Sequence, residues 1–240
     1  MPGLYKDEGV VLKTIKLGEA DRIVTLFTRT NGKMRAVAKG IRKTKSRFGG
    51  RLEPFTRVQL VVYRGRNLDT ITSADILTSF EEVRADYARL TAAAALVDAV
   101  EKITPERERA FSTYALLLAG LGALADGRGG TVVPAFLVKL LSLSGYHPQL
   151  SVCAGCGTDK GLSAFSPVIG GAVCNSCWGE DRDALQLPPE GIALLARLLS
   201  SDFGQPAGPG ETIALTRVLR AYAEFHLERP LRSLHMLVAS

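Results

Sequence analysis

Runs of β-branched and aromatic residues, each only a few positions long and separated by polar punctuation, fill the first eighty residues. Val10-Val11-Leu12, Arg22 to Thr28, Met34 to Ala38, Arg57 to Tyr63 and Leu68 to Thr72 predict five strands. Asn31-Gly32, between the second and third runs, supplies the positive φ angles of a tight hairpin turn. Arg64-Gly65-Arg66-Asn67 reads as a second turn, and the polar, basic stretch from Gly40 to Pro54 reads as a loop. Five short strands with one long loop predict a small barrel, an OB-fold first, although an SH3-like barrel satisfies the same pattern.

The period changes near Phe80. Val83, Tyr87, Leu90, Ala94 and Val97 recur at spacings of four and three, which is one face of a helix. Thr104-Pro105-Glu106 has the form of a helix start, with a capping hydroxyl, a proline and then an acid facing the dipole, and that helix is predicted to run on through Ala110 to Ala125. Asp126 to Gly130 is a glycine-rich connector, and Pro134 opens a helix over Ala135 to Ser144. Pro188-Pro189-Glu190 starts another, and Thr212 to Glu228 forms a last long helix stopped by Pro230. The expected fold is therefore α+β. Residues 1–80 form a barrel, 81–150 a helical domain, 151–180 a four-cysteine module and 181–240 helices that pack back on the helical domain.

The module carries the clearest chemistry. Cys153-Ala154-Gly155-Cys156 and Cys174-Asn175-Ser176-Cys177 are two C-x2-C turns separated by seventeen residues, a spacing of zinc sites. Small residues inside each turn let the backbone curl so that two thiolates point at one place, and four thiolates complete the shell of a structural Zn2+. A shell closed by four cysteines leaves no position for water or substrate, so the site is expected to stabilise the fold and not to catalyse. A pair of redox C-x-x-C motifs is the rival reading, but no thioredoxin-like βαβ pattern surrounds either one.

Charge then singles out the barrel. Net charge is +6, yet residues 1–80 hold 16 Lys and Arg against 7 Asp and Glu, so the whole basic excess lies in the first third. No acid occurs from Arg29 through Arg51. Lys33, Arg35, Lys39, Arg42, Lys43, Lys45, Arg47 and Arg51 are the candidate phosphate contacts, because each neutralised phosphate releases a condensed counterion. Phe48, between Arg47 and Gly49, is a candidate for base stacking, whereas Phe55 and Tyr63 read as core. A solvated basic face is the plainer alternative; the density of cations in a loop without acids favours nucleic acid.

Several classes are excluded. The chain has no P-loop motif, which implies no nucleotide cofactor, and no H-E-x-x-H. His147, His226 and His235 are scattered, and the acids are unclustered, so neither a nuclease nor another enzyme is indicated. His147, six residues before Cys153, is a remote alternative ligand. No apolar stretch reaches membrane-spanning length, and the start lacks the form of a signal peptide, which points to a cytoplasmic protein.

Three segments near the N-terminus and a short one near the C-terminus resemble the RecO family. Glu19-Ala20-Asp21-Arg22-Ile23-Val24-Thr25-Leu26-Phe27-Thr28 is similar to its second-strand signature. Gly40-Ile41-Arg42-Lys43-Thr44-Lys45-Ser46-Arg47 is similar to its basic loop, with Ile41 where a small residue is usual. Gly50-Arg51-Leu52-Glu53-Pro54-Phe55 resembles the entry to the next strand, and Leu231-Arg232-Ser233-Leu234 the C-terminal tail. The resemblance implies an N-terminal OB-fold, a central helical domain and a zinc module. It also implies binding of single- and double-stranded DNA and annealing of complementary strands. Implied partners are RecR and single-strand DNA-binding protein, in the bacterial cytoplasm at the nucleoid. Two other classes compete: an RNA-binding or ribosome-associated zinc-ribbon module, and a zinc hydrolase, for which no open metal position is visible.

Overall fold

The computed structural model describes residues 3–238; the ends of the expected first and last segments, 1–2 and 239–240, lie outside them. Five strands, β1 (Leu4–Leu17), β2 (Asp21–Thr28), β3 (Gly32–Ala38), β4 (Arg57–Tyr63) and β5 (Asp69–Thr78), close into a barrel in the order β1-β2-β3-β5-β4. β1 pairs with β4 over Leu4–Val10 and with β2 over Gly9–Leu17, and a bulge at Leu12 shifts the register within the β1–β2 ladder. β3 and β5 meet in parallel at Ala36–Asp69 and Val37–Thr70, which completes the closure. Strand alternation sorts the faces: Val24, Leu26, Met34, Ala36, Leu60, Val62 and Ile71 fill the barrel.

Val10, Leu12, Phe27 and Phe55 belong instead to a larger core shared with the helices. Those helices are α1 (Glu81–Ala85), α2 (Tyr87–Ile103), α3 (Phe111–Ala125), α4 (Val132–Leu143), α6 (Gly191–Ser200), α7 (Pro209–Leu227) and α8 (Arg232–Val238). Between α4 and α6 lies a small sheet, β6 (Leu162–Ser166), β7 (Gly171–Cys174) and β8 (Leu185–Gln186), ordered β7-β6-β8, with the one-turn helix α5 (Asn175–Trp178). The sheet docks on the helices through Phe165, whose ring meets that of Tyr222 edge-on at 5.2 Å. Gly171 lies so close to the chain at Gln149 that a Cβ there would sit 2.4 Å from its carbonyl oxygen.

Two local expectations are corrected. Thr104-Pro105-Glu106 does not open a helix: α2 ends there, and Thr104 donates its hydroxyl to the Val100 carbonyl at 2.6 Å. Residues 106–107 instead pair with the edge of β3, the Arg107 N–H donating to the Lys33 carbonyl at 2.8 Å. The hairpin at Asn31-Gly32 has a three-residue loop, since Thr28 pairs with Gly32, and only Gly32 takes a positive φ.

Candidate nucleic-acid interface and metal centre

The loop after β3 crosses one end of the barrel. Ile41, Phe48 and Leu52 turn inward and join the barrel core, so the loop is anchored like a plug with its other side in solvent. Lys39, Arg42, Lys43, Lys45, Arg47 and Arg51 are exposed on that outer side. Arg42 ties the loop to the β1–β2 turn: its backbone N–H donates to the Ala20 carbonyl at 2.9 Å and its guanidinium to the Gly18 carbonyl at 3.1 Å. The Gly40 N–H donates to Asp21 at 2.7 Å. The Arg51 guanidinium donates to the Arg47 carbonyl. Among the described residues none of these six cations has a carboxylate within ion-pair distance, whereas Arg22 nearby is held by Glu53 at 3.3 Å. Such a face presents six cations without ion-pair partners, against Glu19 in the adjoining turn and the engaged Glu53, and an excess of this kind attracts a polyanion. Arg35 is partly buried on the outer face of β3, in the middle of the strand.

Three residues stand differently from their sequence-based roles. Phe48 is 1% exposed and cannot stack on a base; its ring is spent in the barrel core, with the Arg47 guanidinium lying over it at 5.0 Å. Lys33 is 8% exposed and cannot meet a phosphate. Its ammonium donates to the carbonyls of Glu101 and Thr104, where the unpaired carbonyls and dipole of the α2 C-terminus favour a cation, although burial pushes its pKa down. Lys33 thus fastens the barrel to the helices. Tyr63, expected in the core, is 45% exposed at the end of β4, while Phe55 is buried as expected. Truncating the plug at Phe48→Ala should cost about 3–5 kcal/mol. Urea unfolding measures the loss, and the fraction that remains folded should bind DNA as before.

The four cysteines converge as their spacing requires. The sulfurs of Cys153, Cys156, Cys174 and Cys177 all lie within 4.8 Å of one another, with Cys156 and Cys174 at 3.7 Å. Cys153 comes from the turn before β6, Cys174 ends β7, and Cys177 is carried round by α5. The Cys174 N–H donates to the Cys153 sulfur at 3.3 Å. Burial opposes ionisation of Cys153, but N–H groups of Cys156, Cys174 and Gly155 outweigh it and bring its pKa down to about 6. Contacts with the sulfurs of Cys156, Cys153 and Cys174 push Cys177 up to about 12, so the four thiols cannot all ionise without a cation among them. The donor set is soft and all sulfur, which fits Zn2+. Around it the apolar packing is slight: Cys153, Ala164, Val173 and Cys174 form a cluster of their own. His147 is not part of the cluster and bonds Ser142 at 2.7 Å. Among the described residues no helix is long and apolar enough to cross a membrane.

Residues 1–80 match the family described as recombination protein O, N terminal, and residues 84–235 match recombination protein O, C terminal. A protein named DNA repair protein RecO from a Nocardioides species is 43% identical over 96% of this chain and 98% of its own length. Proteins of the same name from Thermobifida fusca and Frankia casuarinae are 40% and 43% identical, each over 98% of both chains. Matches that run through the barrel and the helices in order, with relatives aligned almost end to end, place this chain in the RecO family.

Proposed function

We propose that this chain is a non-enzymatic, DNA-binding mediator of recombinational repair. The observation that carries the reading is the plugged barrel end with six exposed, unpaired cations. Family membership, and relatives named as DNA repair proteins, support it. The strand order β1-β2-β3-β5-β4 is that expected of an OB-fold, a scaffold for oligonucleotide binding. Residues 1–80 act as the DNA-binding domain, and residues 81–150 and 181–240 as one helical body that carries the cysteine module of 151–180.

The mechanism is electrostatic. Lys39, Arg42, Lys43, Lys45, Arg47 and Arg51, with Arg35 on the adjoining strand, engage phosphates of single- or double-stranded DNA. Screening the repulsion between two strands lets complementary bases find each other, and pairing itself supplies the specificity. The buried Lys33 and Phe48 take no part except to hold the surface in place. Cys153, Cys156, Cys174 and Cys177 would hold Zn2+, which supplies folding energy to a segment with little core of its own. RecR and single-strand DNA-binding protein are the protein partners in this reading, which places the protein at the nucleoid. Competition between a DNA and an RNA oligonucleotide of equal length tests the polymer: DNA should displace RNA at equal concentration. Preferential retention of RNA would favour a ribosome-associated module instead.

A further inference from the structure

The opposite end of the barrel carries a second set of cations and rings. The turns at 29–31 and 64–68 both lie there, because β5 starts beside β3 and runs parallel to it. Residues 106–108 are strapped across the same end, so closely that a Cβ on Gly32 would sit 1.8 Å from the Glu108 carbonyl oxygen. Arg107 sits in the left-handed region at φ 59, an uncommon conformation for a long side chain. Its guanidinium ends 3.5 Å from Asp69. Asp69 is 1% exposed and also accepts from the Tyr5 hydroxyl at 2.8 Å. Arg64 lies over the Tyr5 ring at 5.3 Å, and Arg29 over the Phe111 ring at 5.4 Å. Asp69 thereby gathers Tyr5, Arg107 and, over the Tyr5 ring, Arg64; with the separate Arg29–Phe111 pair at the same barrel end they make up a belt of guanidinium planes and rings.

The belt is open to solvent. Arg64, Arg66, Arg107 and Arg109 are exposed, and so are the rings of Tyr63 and Phe111. Of the acids nearby, Glu8 holds Arg29 and Arg57 and Asp69 holds Arg107, while Glu106 and Glu108 are exposed with no ion pair among the described residues. Arginine is planar, weakly hydrated and able to grip phosphate with two N–H groups, and an exposed aromatic face accepts any base. The basic loop at the other end has cations but no exposed ring of this kind, since Phe48 is buried.

We infer that this belt is a second surface for single-stranded nucleic acid, with bases stacked on Tyr63 and Phe111 and phosphates held by Arg64, Arg66 and Arg109. The inference rests on the DNA-binding reading above and adds a second strand position, so that one chain holds two strands at opposite ends of its barrel. The test counts short oligodeoxythymidines bound per full-length chain by sedimentation with a labelled oligonucleotide. Three proteins are compared: the unaltered chain, R64A/R66A/R109A, and R42A/K43A/K45A/R47A. The unaltered chain should bind two and each variant one. Tyr63→Ala with Phe111→Ala should weaken the second site by about 10-fold or more while the first is unmoved. The substituted arginines are exposed and have no ion-pair partner among the described residues, so the fold should hold. Two oligonucleotides retained by R64A/R66A/R109A would overturn the belt and leave DNA binding standing. One per unaltered chain, abolished by the loop variant, would do the same. No binding by the unaltered chain would overturn both.

Discussion

Cys153→Ser should destabilise the cysteine module by on the order of 4 kcal/mol or more and let residues 151–187 open while the barrel stays closed. The reason is the imbalance between that segment's core and its length. Ala164 and Val173 are the apolar residues of the small buried cluster around the cysteines, and Phe165 and Ala172 belong to the side that docks on the helices. Without a cation, four sulfurs within 4.8 Å must share their protons, and the N–H groups aimed at Cys153 lose the thiolate that they favour. Exposing the protein to a strong chelator should act like the substitution. Hydrogen exchange read by peptide resolves the effect: amides of β6 and β7 should exchange early, and those of β2 and β3 should not. Metal content of the purified protein should fall in parallel. A Cys153→Ser protein as protected as the unaltered one would remove the structural role of the site.

The second large effect concerns the loop. R42A/K43A/K45A/R47A should flatten the salt dependence of single-strand binding without unfolding the barrel, because all four side chains are exposed and the plug is made by Ile41, Phe48 and Leu52. The six exposed loop cations, counted without the partly buried Arg35, give a slope of log K against log salt of about −4, or about 300-fold between 50 and 200 mM salt. Two remaining contacts give a slope of about −1.4, or about 7-fold over the same range. Fluorescence anisotropy across that series measures both. An unchanged slope would show that the loop is not the phosphate surface.

What was legible in the sequence was what local spacing controls. The two C-x2-C turns bring their own sulfurs together, and β6 and β7 need only fold as a hairpin to join them. The five strands of the barrel were legible because their β-branched residues alternate in and out over short stretches. What failed depended on the partner across the chain. Lys33 shares a strand and a face with Arg35, but α2 ends against Lys33 and takes its ammonium. Phe48 is flanked by Arg47 and Gly49 and reads as surface, until the loop folds back over an open barrel end that needs a large apolar side chain to fill it. Thr104-Pro105-Glu106 has the composition of a helix start, yet the hydroxyl serves the helix before it and the following backbone is claimed by β3. The short elements α5 and β8 carry no periodicity long enough to read.

The most direct test of the account is annealing of two complementary oligonucleotides coated with single-strand DNA-binding protein, in the absence of ATP, followed over a salt series. Acceleration that fades as salt rises, and that is lost with R42A/K43A/K45A/R47A, is the predicted result. Absence of acceleration at low salt by the intact, metal-loaded protein would contradict the assignment as a DNA mediator.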